Sequence, residues 1–560
     1  MGLQPMRILV VAVVVLGGSG SAAAQRWQDA TADCLGTTAQ WTNKVEVADV
    51  DGDGLVDILL ANGGDYASAG TPEPTRVWKN TGGWDVAGSH CSEISAEALG
   101  GFTGFSRVIK AADLDGDGDL DLVTGGAFQS QLKLFTRDGT TWSDASARLP
   151  QQLTSIGDVE FGDVDRDGDL DILLAEWGAI SPGANNYPGG RTRLYLNDGA
   201  GSFSDATTTH MPTLLVQWSW DLELVDVDQD WDLDALVSCK LCTTSYLFRN
   251  DGAGHFTDDP TALPHNTNNY EFEAMDIDRD GDLDLATIND GGQLRDTLLI
   301  NDGAGVFTDG SSRLGSNPTN DDNNALWLDA DSDGDPDLFI GALGTGALAA
   351  DRLLLNDGAG NFTLSPNATP NDTRGTLGIA VADLDGDGRL DLVQGQGESA
   401  FSDKVQLATD MIAIDTAPPV VRADYIGGSF VARVHDHQSP SHAHDWQRVW
   451  VEVAGTEVDL AWYGEYLWRS PAMANGTFRV CAKDRRGNQG CSDDAPVTGD
   501  GANVGDDAGV QPPGGGGGGC CETGSRPTGS LLLGLGVLGL LLRRTRRRQC
   551  QKPTDSPRLR

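Results

Sequence analysis

A ladder of alternate aspartates that runs straight into an apolar strand returns seven times in this chain. It reads "DVDGDGLVDILL" at 49, "DLDGDGDLDLV" at 113, "DVDRDGDLDILL" at 163, "DVDQDWDLDALV" at 226, "DIDRDGDLDLAT" at 276, "DADSDGDPDLFI" at 329 and "DLDGDGRLDLVQ" at 383. The starts are separated by 64, 50, 63, 50, 53 and 54 residues. Self-similarity at such a period marks a repeat architecture, in which each unit buries its apolar face only against its neighbours. A solvated acidic run would not come back each time with the same strand behind it.

Each unit has one order, visible in "VEFGDVDRDGDLDILLAEWG" followed by "RTRLYLNDGAGSFSDAT": strand, acidic loop, strand, variable loop, strand, turn, strand. Alternation such as Val45, Val47 and then Ile58, Leu60 marks half-buried strands, and "NDGAG" at 197, 250, 301 and 356 carries Asn-Asp-Gly hairpin chemistry. Seven four-stranded meanders predict an all-β fold, a seven-bladed β-propeller over residues 25–412. The opening "RWQDATADCLG" resembles the fourth strand of a unit, whereas the seventh unit stops after its third strand, "KVQLATD". The N-terminal strand is therefore expected to complete the seventh blade and remove the open sheet edges.

The loops have the spacing of a calcium cage. Counting Asp49 as position 1, Asp51, Asp53 and Asp57 fall at positions 3, 5 and 9, Gly54 at the sharp turn of position 6, and Leu55 offers its backbone carbonyl at position 7. A hard cation takes six to eight oxygens, which alternate carboxylates plus one carbonyl supply. The same reading predicts ligands at Asp113, Asp115, Asp117, Asp119 and Asp121; Asp163, Asp165, Asp167, Asp169 and Asp171; Asp226, Asp228, Asp230 and Asp234; Asp276, Asp278, Asp280, Asp282 and Asp284; Asp329, Asp331, Asp333, Asp335 and Asp337; and Asp383, Asp385, Asp387, Arg389 and Asp391. An EF-hand would continue into a helix with Glu at position 12; here position 12 is Leu60 and the residues are β-formers. The loop at 226 carries Trp231 at position 6, where a Cβ disfavours the turn, so it is expected to be the weakest site.

With D-x-D-x-D-G-x-x-D cages between strands, residues 25–412 resemble the FG-GAP/VCBS-type repeats of integrin α-subunit propellers and many exported bacterial proteins. That resemblance implies calcium in the blades. The literal FG and GAP dipeptides are mostly absent, which separates the resemblance from integrin-like ligand binding.

The net charge of −44 comes from 83 acidic against 39 basic residues, and the seven loops alone hold 33 aspartates. So acidic a surface repels phosphate backbones and argues against a nucleic-acid partner. Residues 1–24 read as a secretory signal, with Arg7, the apolar "ILVVAVVVLGG" and a small-residue cleavage site near Ala24. Export permits disulfides, and Cys34–Cys91, Cys239–Cys242 and Cys481–Cys491 are close pairings, although "CKLC" at 239 also reads as half a zinc site.

Residues 415–494 lack the ladder and read as a small antiparallel sandwich. "DTAPP" and "AKDRRGNQG" there resemble bacterial immunoglobulin-like modules. His435, His437, His442 and His444, with Asp436 or Asp445, could bind zinc or copper or form a solvated loop. Residues 495–519 read as a disordered Gly-rich linker. Residues 520–548 hold Cys520-Cys521, the 13-residue "SLLLGLGVLGLLL" and "RRTRRR", ahead of a cytoplasmic tail at 549–560. The order resembles MYXO-CTERM sorting signals, which implies transient inner-membrane anchoring and display on the outer membrane surface.

Insertions after the second strands, "NGGDYASAGTPEPT" and "EWGAISPGANNYPGG", lie opposite the acidic loops and bring Tyr66, Trp177, Tyr187, Trp218, Trp220 and Tyr270 into or beside them. They form either a binding face or packing between blades. The functional expectation is a monomeric, non-catalytic binding or adhesion module for an extracellular protein or glycan. An extracellular polysaccharide lyase or hydrolase is the alternative.

Overall fold

The computed structural model describes residues 25–64, 71–180, 188–265, 268–289, 294–343, 350–370, 375–397, 401–438, 446–471 and 476–497. The signal segment, Tyr66, Tyr187, His442, His444, Asp445, and the linker from 498 with everything after it lie outside the described residues. No helix among those described is long and apolar enough to cross a membrane.

The fold is all-β and β-propeller-like. Six four-stranded antiparallel sheets follow the chain in order, each beginning on the strand that precedes an acidic loop: Thr42–Ala48, Ser106–Ala112, Ile156–Gly162, Leu222–Val225, Asn269–Met275 and Asp322–Leu328. A seventh sheet holds Thr376–Ala382, Asp391–Gln396 and Lys404–Ala408, and its outer strand is Trp27–Asp29 from the start of the chain. Trp27 pairs with Ala408 and Asp29 with Gln406. The seven leading strands touch in cyclic order, the last returning to the first.

In six of the seven sheets the leading strand carries one register shift near its start. Such a bulge adds local twist, which splays the sheets around an axis. Apolar residues from facing sheets interlock between blades, as with Leu326, Phe339, Val381 and Leu392. Trp27 locks the joint there: it is fully buried, packs edge-on to Phe339 at 5.6 Å and donates its indole N–H to the Leu390 carbonyl at 2.9 Å.

After the ring, two sheets face each other over one core. The strands Val420–Ile426, Ser429–His435, Leu467–Pro471 and Ala461–Gly464 form one; Thr456–Asp459, Trp446–Val453, Thr477–Asp484 and Gln489–Cys491 form the other, joined by Ala495–Pro496. Phe430 and Phe478, one from each sheet, pack at 4.9 Å. Disulfides join Cys34–Cys91, Cys239–Cys242 and Cys481–Cys491. Bonded to each other, Cys239 and Cys242 are not a thiolate pair for zinc.

The sandwich sits on the acidic-loop end of the ring. Its Ala461–Gly464 hairpin reaches the ring axis, where the Tyr463 carbonyl accepts the Asp163 N–H at 2.9 Å and the Tyr466 hydroxyl donates to the Ala274 carbonyl at 2.8 Å. Gly464 is needed for this approach: a Cβ there would meet Leu233 at 2.5 Å and Gly162 at 3.4 Å.

Closure by the first strand makes a sharp expectation. Trp27→Ala should cost about 3–5 kcal/mol, the usual loss for a large buried aromatic, read as a lower denaturant midpoint in urea unfolding. An unchanged midpoint would mean that the ring does not depend on its N-terminal strand.

Candidate functional site

The backbone winds each acidic loop in the same way. The position-7 amide donates to the position-5 carboxylate in all seven, for example Leu55 to Asp53 at 3.0 Å, Asp119 to Asp117 at 2.9 Å and Arg389 to Asp387 at 2.9 Å. Position-6 amides donate back to position 1, as from Gly54 to Asp49 at 2.8 Å and Gly388 to Asp383 at 3.0 Å. Positions 4 and 6 take left-handed backbone throughout. Trp231 does so too, with φ of 71°, so the loop at 226 keeps the common path despite its Cβ, at a local conformational cost.

Position 9 is a structural keystone. Asp57, Asp121, Asp171, Asp234, Asp284, Asp337 and Asp391 are at most 1% exposed. One oxygen of each accepts an amide from the third strand: Asn80 on Asp57 at 2.8 Å, Asn197 on Asp171 at 2.9 Å, Ala408 on Asp391 at 2.7 Å. In most loops the other oxygen takes the position-2 amide, as Val50 on Asp57 at 3.0 Å and Leu384 on Asp391 at 2.8 Å.

The asparagine that opens "NDGAG" then ties four of the sheets to the previous loop. Side-chain amides of Asn197, Asn250, Asn301 and Asn356 donate to the position-2 carbonyls of Leu114, Val164, Val227 and Ile277 at 2.8–2.9 Å. Asn80 does the same to Leu384, across the closure, at 2.8 Å. The turns therefore share the face of the acidic loops. The recurring Asn was the signal for this role, which hairpin chemistry alone did not disclose.

The donor set fits a hard cation. One oxygen from each of Asp49, Asp51 and Asp53 lies within 4.8 Å of the others, and so for Asp113, Asp115 and Asp121, for Asp163, Asp165 and Asp171, and for Asp226, Asp228 and Asp230. Oxygens held about 2.4 Å from one calcium ion are separated by at most about 4.8 Å. Oδ1 of Asp51, Asp115, Asp163, Asp226, Asp228, Asp276, Asp278 and Asp383 is buried without a hydrogen-bond partner. An orphaned, buried carboxylate oxygen is costly unless a cation meets it.

The electrostatics agree. Burial, with the neighbouring carboxylates, pushes Asp57 and Asp121 up to about 7 and Asp171, Asp284 and Asp337 up to about 8. Burial likewise holds Asp234 and Asp391 well above the ordinary carboxylate range.

Of the aromatic residues that read as either a binding face or packing between blades, the four among the described residues are core. Trp177 and Tyr270 are 1% exposed, Trp218 and Trp220 8%. Trp177 stacks on Trp220 at 5.0 Å and Trp220 meets Tyr270 edge-on at 4.9 Å, with the Arg107 guanidinium 4.5 Å from the Trp220 ring. Their large apolar area is worth more in packing than on a surface. His435 and His437 are buried as well, not on a solvated loop. Burial lowers both, His437 to about 4, and the nearby guanidiniums of Arg433 and Arg422 around His435 and of Arg279 around His437 disfavour another cation.

Sequence reasoning also missed the ring axis. Three residues before four of the loops stands a glutamate, Glu46, Glu160, Glu223 or Glu273, and before the loop at 113 a lysine, Lys110. These line an axial cavity of about 90 Å³ with Lys44, Glu271 and, from the sandwich, Glu465. Lys44 reaches Asp158 at 2.6 Å and Asp221 at 2.9 Å, and Lys110 pairs with Glu160. Aligning the residues before each ladder would have exposed this layer.

Residues 113–174, 276–340 and 329–393 match the FG-GAP-like repeat family, so the chain carries FG-GAP-like repeats. No curated protein matches the chain in sequence. Among solved structures, an ancestral GH74 enzyme is similar at 11% identity and a TM-score of 0.38, over 84% of this chain, a likeness too distant to bear on activity. This chain spans 64% of that protein's length.

The raised carboxyls give a pH signature. A group whose folded pKa is raised is neutral in the fold and ionised once unfolded, so ion-free protein should lose stability as pH rises from about 4 to about 8. Melting in chelator should fall across that window, and calcium should flatten the fall. A chelated protein that melts higher at pH 8 than at pH 5 would contradict the assignment.

Proposed function

We propose that the protein is a calcium-stabilised, surface-displayed, non-catalytic binding module: a closed seven-bladed propeller with an immunoglobulin-like sandwich, which engages an extracellular protein or glycan. The observation that carries the reading is the recurrent, oxygen-only acidic loop with an unpaired buried carboxylate oxygen; surface display rests on the reading of residues 1–24 and 520–548 as export and sorting segments. A monovalent cation would neutralise these loops less completely than a divalent one, and a soft metal would lack nitrogen or sulfur donors.

The sandwich covers the centre of the acidic face, so a ligand is expected at the opposite end, where second-to-third strand loops and inter-sheet links lie. Leu153, in the link into the third sheet, and Leu215 and Leu241, in the link into the fourth sheet and its second-to-third strand loop, lie at that end at 65%, 58% and 47% exposure. Lone exposed leucines are ordinary; three at one open end give a partner apolar area to meet.

Calcium should raise the melting midpoint over chelator, since one site at ten times its Kd contributes about 1.4 kcal/mol and several sites add. An unchanged midpoint would remove calcium from the reading. Screening on a glycan array and on extracted surface proteins should give retention without product formation. Replacing Leu153, Leu215 and Leu241 by Ser should weaken retention without moving the melting midpoint; turnover of a polysaccharide would instead support an enzyme.

A further inference from the structure

The acidic loops differ in one respect that their shared backbone conceals. In the third, fifth, sixth and seventh sheets, the residue just before the one whose amide reaches the position-9 aspartate is Leu196, Ile300, Leu355 or Leu407. In the fourth it is Arg249. Its Nη1 stands between positions 3 and 9, 2.9 Å from Asp228 Oδ2 and 3.4 Å from Asp234 Oδ2, in the space a bound ion would need. The remaining donors are used too: Nε meets Asp259 at 3.4 Å, and Nη2 meets the Ala304 and Gly305 carbonyls at 3.1 and 2.8 Å. A guanidinium fixed on five acceptors is not readily displaced.

Position 1 of this loop is taken by the sandwich. Arg433 Nη2 donates to Asp226 Oδ2 at 2.9 Å and to the Asp226 carbonyl at 2.8 Å, with the two side chains 5% and 1% exposed. The Tyr463 hydroxyl donates to the Trp231 carbonyl at 3.1 Å, which steadies the left-handed backbone of a residue that replaces glycine. Asp226 and Asp228 each keep an unpaired Oδ1, as other loops do. What sets this loop apart is that positions 1, 3 and 9 already share arginine nitrogens. In the first sheet, Lys79 occupies the equivalent place and pairs with Asp51 and Asp53, but Gly54 is kept there and none of the sandwich arginines in these contacts reaches that loop.

We propose that the fourth acidic loop is a guanidinium socket and not a metal cage: Arg249 and Arg433 supply the positive charge that calcium supplies elsewhere, and the loop anchors the sandwich to the propeller without calcium. The metal half of this statement rests on the calcium reading of the other loops. Breaking a buried ion pair from one side strands its partner, so Arg433 should govern docking strongly.

Terbium, used in place of calcium on the full chain, tests the socket because Trp231 would sensitise an ion in its own loop. Wild-type protein should bind at most six ions, and Trp231→Phe should leave the emission unchanged. Arg249→Leu, which restores the residue type of the other sheets, should add one ion and Trp231-dependent emission. Trp231-dependent emission in the wild type, or none gained in Arg249→Leu, would overturn the socket. Arg433→Leu should speed proteolysis in the link at Ala413–Pro418, where Ile414, Thr416 and Pro418 are exposed, at least about tenfold in saturating calcium, whereas chelator alone should not; equal resistance would overturn the anchor. Absence of terbium binding in every loop would strike the calcium reading instead, leaving the proteolysis arm to decide the anchor.

Discussion

A buried carboxylate that holds two backbone amides is the joint on which the rest of the molecule turns. The position-9 aspartate fixes the loop before it to the third strand behind it, as Asp57 does with Val50 and Asn80. The adjacent asparagine carries that constraint back to the preceding sheet's loop, and Asn80 carries it across the ring closure to Leu384. Backbone groups buried at sheet ends must be paired somewhere. Here one short acidic side chain and one amide side chain pair them, and in doing so set the spacing of the sheets.

The same choice creates an electrostatic problem. Carboxylates gathered on one face repel, and burial raises their proton affinity. The chain meets this with arginines and lysines placed by neighbouring sheets and by the sandwich, and it leaves oxygen-lined spaces of a size suited to a divalent ion. Arg469 on Asp163, Arg433 on Asp226 and Arg486 on Asp383 show the sandwich using position-1 aspartates as its footing. Domain docking and loop neutralisation are thus one interaction.

Much of this was legible in the sequence. The ladder's spacing gave the repeat, alternating strands gave the meander, and the opening "RWQDAT" gave the strand that pairs with Lys404–Ala408. The path of each acidic loop could be read by position because a nine-residue loop dictates its own geometry through local hydrogen bonds. Tryptophans were harder to read: for Trp177, Trp218 and Trp220 a binding face and packing between blades stood open, and the structure shows them packed together and buried, since sequence shows a residue's neighbours along the chain but not those across sheets.

By itself, then, the sequence determined what local periodicity and short-range hydrogen bonding control: strand, loop, turn, repeat number and the oxygen-rich character of each loop. Only the tertiary structure decided which carboxylates meet an arginine, that Glu465 enters the ring axis, and that Trp231 is supported by Tyr463 from 232 residues away. Those contacts join segments whose spacing along the chain carries no periodic signal, and their energies depend on burial, which exists only after the sheets have closed into a ring and the sandwich has settled on it.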